Sequence, residues 1–160
     1  TESITVEHYH DLGKFLFAFT IFWSYISFSQ FFLIWYANMP EETIFYLRRW
    51  EGSWMLVSLF QIAGHLMIPF IVLIPRVTKR NFTALKIIAL WILFCHWVDL
   101  YWNIMPNYSK SGIELSWIDV APMLGIGGIF VWYFWKRYTD AALIPVKDPK
   151  LEASLHFANL

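Results

Sequence analysis

From Phe15 to Pro40 the chain runs without a charged side chain, and it does so again from Gly52 to Pro75. At 1.5 Å of rise per residue, either stretch can cross the ~30 Å hydrocarbon layer of a bilayer as a helix whose backbone groups pair internally. A third apolar run, from about Asn81 to Ile104, carries Lys86 near its start, where a long side chain can snorkel toward water, and His96 and Asp99 toward its end. The fourth, Trp117 to Tyr138, has Asp119 near its start and Pro122 in its first turn, where the missing N–H does no harm, and closes on Lys136 and Arg137. The pattern predicts an all-α integral membrane chain with four transmembrane helices, at about 12–37, 53–75, 81–104 and 117–138. Pro69 is expected to kink the second helix, because it removes one N–H and crowds the preceding turn. Residues 1–138 then form the transmembrane segment, and residues 139–160, polar and broken by prolines, a cytoplasmic C-terminal tail.

Composition supports the membrane reading. The chain is 58% hydrophobic and only 15% charged, against roughly 25% charged residues in an ordinary soluble domain. Twelve basic residues against twelve acidic ones leave no net positive field, which argues against nucleic-acid binding. The single cysteine, Cys95, excludes an internal disulfide framework. Basic residues set the orientation. Lys14, Arg76, Lys79, Arg80, Lys86, Lys136, Arg137, Lys147 and Lys150 fall on the side of the N-terminus, whereas only Arg48, Arg49 and Lys110 fall on the other. Both termini are therefore expected in the cytoplasm, with connections 38–52 and 105–116 on the outer face. The chain opens on Thr1 without a signal pattern and is expected to begin within a longer precursor.

Ionisable groups inside a membrane are costly enough to demand a partner or a task. His96 and Asp99, three residues apart on the third helix, share a face, and lie roughly 12 and 8 Å from its outer end. Such a carboxyl group stands between the cost of burying its charge and the field of a protonated imidazole, the balance required of a proton acceptor beside a quinol. The same pair can equally serve to lock the third helix to its neighbours. His65 lies deeper, roughly 18 Å in, with Gln61 one turn outward; it reads as a buried structural imidazole or as a deeper member of a polar track. Because His65 and His96 sit on different helices, two-histidine haem ligation is a further reading. Asp119 reads most simply as an acid in a helix's first turn, with a functional role as the alternative. Glu7, His8, His10 and Asp11 form a solvated lead-in rather than a metal site, and no metal motif is present. Glu41, Glu42, Arg48, Arg49 and Glu51 make an outer loop of mixed charge that suits docking or plain solubility. Gly125, Gly127 and Gly128 suit close helix packing.

Several stretches read together carry a resemblance: FWSYISFSQFFLIWYANMPEET (22–43), RRWEGSW (48–54), the Gly64–His65 step, HWVDLYWNIMPNY (96–108), SWIDVAPMLGIGG (116–128) and PVKDPKLEASLHFAN (145–159). Over nearly its whole length the chain resembles the C-terminal part of the ActF-type membrane subunit of bacterial alternative complex III, in the polysulfide-reductase-like (NrfD/PsrC) membrane family. The resemblance implies a multi-pass subunit of the bacterial inner membrane, within a larger helical bundle that has further helices ahead of these. It implies a respiratory assembly that oxidises quinol and passes electrons toward a terminal oxidase. The implied partners are an ActC-type membrane subunit, an iron–sulfur subunit and multihaem cytochrome c subunits; the iron–sulfur clusters and haems belong to these partners, and this chain binds no cofactor directly, quinone excepted. The positions that match the family's polar residues are His65, His96, Asp99 and Asp119, as quinone-adjacent or proton-path residues. A non-catalytic assembly role in the same complex is the alternative.

Overall fold

The structure is a computed structural model that describes residues 4–109, 112–140, 148–151 and 153. In chain order its helices are α1 (Val6–Ala37), α2 (Pro40–Arg49), α3 (Trp54–Leu73), α4 (Arg76–Arg80), α5 (Phe82–Ile104) and α6 (Trp117–Asp140). No strand occurs among the described residues. Helices α1, α3, α5 and α6 are each long and apolar enough to cross a bilayer. The expected all-α architecture with four spanning helices is the one observed, and the chain is a multi-pass membrane protein. Most of the expected C-terminal tail lies outside the described residues.

Two features of the connections depart from the expected boundaries. Helix α1 begins at Val6, not near residue 12, and its 32 residues extend about 48 Å, well beyond the hydrocarbon layer. It stops at Asn38, which takes a left-handed conformation (φ 49°) and donates its N–H to the Ile34 carbonyl at 3.0 Å. Pro40 then opens α2 inside what reads from sequence as a loop. Glu41 and Glu42 in its first turn and Arg48 and Arg49 in its last complement the helix dipole, which makes a short helix of a stretch that looks merely charged.

The chain divides into two units, Val6–Ile113 and a second comprising Thr1–Thr5 with Glu114–Leu160. In the second unit, Ser116 and Asp119 form a reciprocal cap on α6. The Ser116 N–H donates to Asp119 Oδ2 at 2.8 Å, and the Ile118 N–H donates to Ser116 Oγ at 3.4 Å. No residue of α6 is buried within the chain.

In the first unit the two ends are built differently. Where α4 joins α3 to α5, an apolar core of Leu73, Leu85 and Ile88 packs under Tyr9, Leu16, Phe17, Val72, Trp91 and Ile92. Helix α4 lies so close to α1 that a Cβ on Gly13 would stand 2.8 Å from Lys79 Cγ. Glu7 pairs with Arg80 at 2.7 Å across the same junction. The Asn81 side chain caps α5 by accepting from the Thr83 and Ala84 N–H groups.

The end carrying α2 is held by polar groups. Arg49 is 0% exposed, and its guanidinium donates to the carbonyls of Phe45 (2.6 Å), Trp102 (3.0 Å) and Asn103 (2.7 Å) while lying over the Phe45 ring. Burial pulls the guanidinium down to about 10, still a cation at neutral pH. Ser58 Oγ donates to the Arg49 carbonyl at 2.7 Å and accepts from Trp102 Nε1 at 2.8 Å. Trp54 Nε1 donates to the Ser109 carbonyl at 3.0 Å.

Between these ends the backbone of α3 widens. Pro69 offers no N–H, and its ring cannot approach the carbonyl four residues earlier. Instead of a simple kink, the chain forms a π turn over Gln61–Met67, in which the Ile68 N–H reaches the Ala63 carbonyl five residues back. The next bond of that register would join Pro69 to the Gly64 carbonyl, which proline cannot supply. Trp91 on α5 fills the gap, donating from Nε1 to the Gly64 carbonyl at 2.8 Å.

Candidate functional site

The π turn aims Gln61 and His65 into the space between α1 and α5. Both side chains are buried, His65 to 3% exposure. The imidazole stacks on the Trp23 ring of α1, with centroids 3.8 Å apart and planes 23° from parallel. Trp23 turns its indole N–H to Asp99 of α5, donating to Oδ2 at 3.2 Å. The Gln61 amide donates to Asp99 Oδ1 at 3.4 Å, and Asn103 Nδ2 donates to the Asp99 carbonyl at 2.9 Å and approaches Oδ1 at 3.5 Å. One carboxylate is thereby surrounded by donors from α1, α3 and α5. A hydrogen bond to a charged acceptor is worth about 1.5–3 kcal/mol, so the Trp23 bond, with the longer contacts of Gln61 and Asn103, offsets part of the cost of holding a charge in this place.

His96 occupies the outside of this cluster. It is exposed on the surface of the chain, and its ring meets that of His65 edge to face with centroids 6.3 Å apart. No hydrogen bond joins it to Asp99 among the described residues. The three-residue spacing does place the two on neighbouring faces, but Asp99 turns inward to Trp23 and Gln61 while His96 turns outward.

Two polar atoms are left over. Among the described residues, His65 Nδ1 and Gln61 Oε1 are buried without a hydrogen-bond partner. The orientation of the Gln61 amide follows from Asp99: its NH₂ must face the carboxylate, which leaves the oxygen as an acceptor with nothing to accept. Buried polar atoms left unpaired cost about 1–3 kcal/mol each, and natural structures keep few of them. Chemically, the cluster offers an outward imidazole, a carboxylate behind it, and an inner imidazole and amide with spare capacity. The exposed imidazole at the outer edge of that set is a group able to accept a proton.

Of the residues singled out from sequence, the structure brings together His65, His96 and Asp99. Asp119 belongs to the other unit, where its carboxylate caps α6. Trp23 and Asn103 are the members that sequence reading missed. The available signal for Trp23 was its indole N–H, which in a bilayer has no water to bond and must find an acceptor on another helix. The two-histidine haem reading would give a ligand role to His65, which is buried with one ring face against Trp23. Near the start of α1, Glu7 and Asp11 are engaged by Arg80 and Lys14, and no group of three or more metal-ligating side chains occurs among the described residues.

No protein-family model matches the chain, and no curated protein matches it either.

Proposed function

We propose that this chain is a membrane subunit of a respiratory quinol:electron-acceptor oxidoreductase of the bacterial inner membrane, of the ActF type that its motifs resemble. Its part is to take up protons from quinol oxidation through the cluster of His96, Asp99, Gln61 and His65. The observation that supports this reading is the combination of an exposed imidazole, a multiply bonded carboxylate and two unpaired buried polar atoms on spanning helices. Groups so costly in hydrocarbon are kept where they serve transport or chemistry.

A quinol oxidised at the surface of this chain loses two electrons and two protons. His96 is placed to accept one of the two hydroxyl protons, since it faces outward and its ring makes no hydrogen bond among the described residues; the second proton leaves to water at the outer boundary. Asp99 stands behind it as the charged group that stabilises the resulting imidazolium, and Gln61 and His65 extend the polar line into the bundle. The electrons leave through the iron–sulfur and c-type haem carriers of the partner subunits and pass on to the acceptor. On this reading the side of α4, richer in basic residues, faces the cytoplasm, and the proton-accepting cluster lies toward the outer face.

The test is Asp99→Asn in the complete assembly. We expect quinol oxidation per assembled complex to fall about 100-fold, the lower end of what general acid–base groups contribute, with assembly retained. The hydrogen bonds of Asp99 to α1 and α3 favour one other reading, a helix lock in a non-catalytic assembly subunit. Reduced assembly with undiminished turnover in the complexes that do form would establish the lock and sink the proton-accepting role.

A further inference from the structure

Arg49 is the most deeply buried charge in the described chain and has no carboxylate partner. Its three bonded nitrogens point instead at main-chain oxygens, two of which, Trp102 and Asn103, belong to the last turn of α5. Carbonyls at a helix C-terminus lack intrahelical partners and carry the negative end of the dipole, so a cation there is doubly favoured. The backbone of Arg49 ties down the other helix: its own carbonyl accepts from Ser58 Oγ of α3, and that hydroxyl also takes the indole N–H of Trp102. A single residue thus pins the neighbouring ends of α3 and α5.

The position of this pin relative to the site is what gives it a function. Helices α3 and α5 run antiparallel. Three residues inward from Ser58 on α3 is Gln61, and three residues inward from Trp102 on α5 is Asp99. The Ser58–Trp102 contact at 2.8 Å and the Gln61–Asp99 contact at 3.4 Å are therefore successive rungs of one register. A second link runs directly through Asn103, whose carbonyl accepts from Arg49 and whose side-chain amide contacts Asp99. From this geometry we infer that Arg49 is a positioning residue, setting the slide of α5 against α3 and so the hydrogen bonds made to the Asp99 carboxyl group. The inference rests on the proposed reading for its importance to turnover, but its structural content stands apart from it.

The experiment uses the complete complex labelled with [¹³C]aspartate and read by infrared difference spectroscopy, with the Asp99 carboxyl band identified by its loss in Asp99→Asn. Arg49→Met keeps the bulk of the side chain and removes the donors. It is expected to shift the Asp99 band and to lower turnover per assembled complex about tenfold or more, because small misplacements of a reacting group are expensive. Ser58→Ala loosens the same pin without replacing Arg49 or any group bonded to Asp99; it should shift the same band, which keeps the test decisive if Arg49→Met does not assemble. An Asp99 band unchanged in Arg49→Met or, where that variant does not assemble, in Ser58→Ala overturns the inference and leaves Arg49 a part of the scaffold. If Asp99→Asn leaves quinol oxidation untouched while Arg49→Met still moves the band, the functional reading fails and the positioning role survives.

Discussion

The two ends of the first unit solve the same problem with opposite materials. Around α4, apolar side chains and a glycine let helices touch closely, and ionic contacts sit at the rim. Around α2, a buried arginine, a serine and indole N–H groups tie helix to helix through oriented bonds. In a bilayer, apolar packing gains little from excluding water, because lipid tails solvate a leucine as well as another leucine does; what remains is van der Waals fit. Oriented bonds keep their worth, since an unpaired N–H or carbonyl in hydrocarbon has no alternative partner. The ionisable cluster lies next to the oriented end, where geometry is fixed by direction as well as by contact.

Three substitutions sharpen this contrast, read as unfolding free energy of the full chain in mixed micelles titrated with a denaturing detergent. Ser58→Ala should cost the most, about 3 kcal/mol, because it strands both the Arg49 carbonyl and the Trp102 indole N–H. Leu73→Ala removes a fully buried side chain from the apolar core. In water such a change costs about 2–5 kcal/mol; in lipid the transfer part is lost and the cavity remains, so about 2 kcal/mol is expected. Gly13→Ala should cost least, about 1 kcal/mol, as the clash with Lys79 outweighs the gain in helix propensity. If Leu73→Ala proves more damaging than Ser58→Ala, the distinction between the two ends is wrong.

The spanning helices were legible in sequence because uncharged runs of this length have few other uses. So were the residues worth questioning, since His65, His96 and Asp99 interrupt those runs. Their partners were not legible. Asp99 takes its hydrogen bonds from Trp23, 76 residues away, and from Gln61, 38 residues away, and nothing local marks a tryptophan in an aromatic-rich helix as a carboxylate's donor. Arg49 read as one charge among several in a mixed loop, because neither α2 nor its approach to the end of α5 can be inferred from composition. Pro69 announced a distortion, and its form as a π turn depends on Trp91 from another helix accepting the consequences.

That widened turn has an effect on the whole of α3. The inward-facing residues Trp54, Ser58, Gln61, His65, Pro69 and Leu73 recur at intervals of mostly four. At about 100° per residue, a regular α-helix would let such a sequence wind roughly 100° around the axis between the first and the last. Taking one residue into a looser coil cancels this drift, so that clamp, ionisable cluster and greasy core lie along one straight seam.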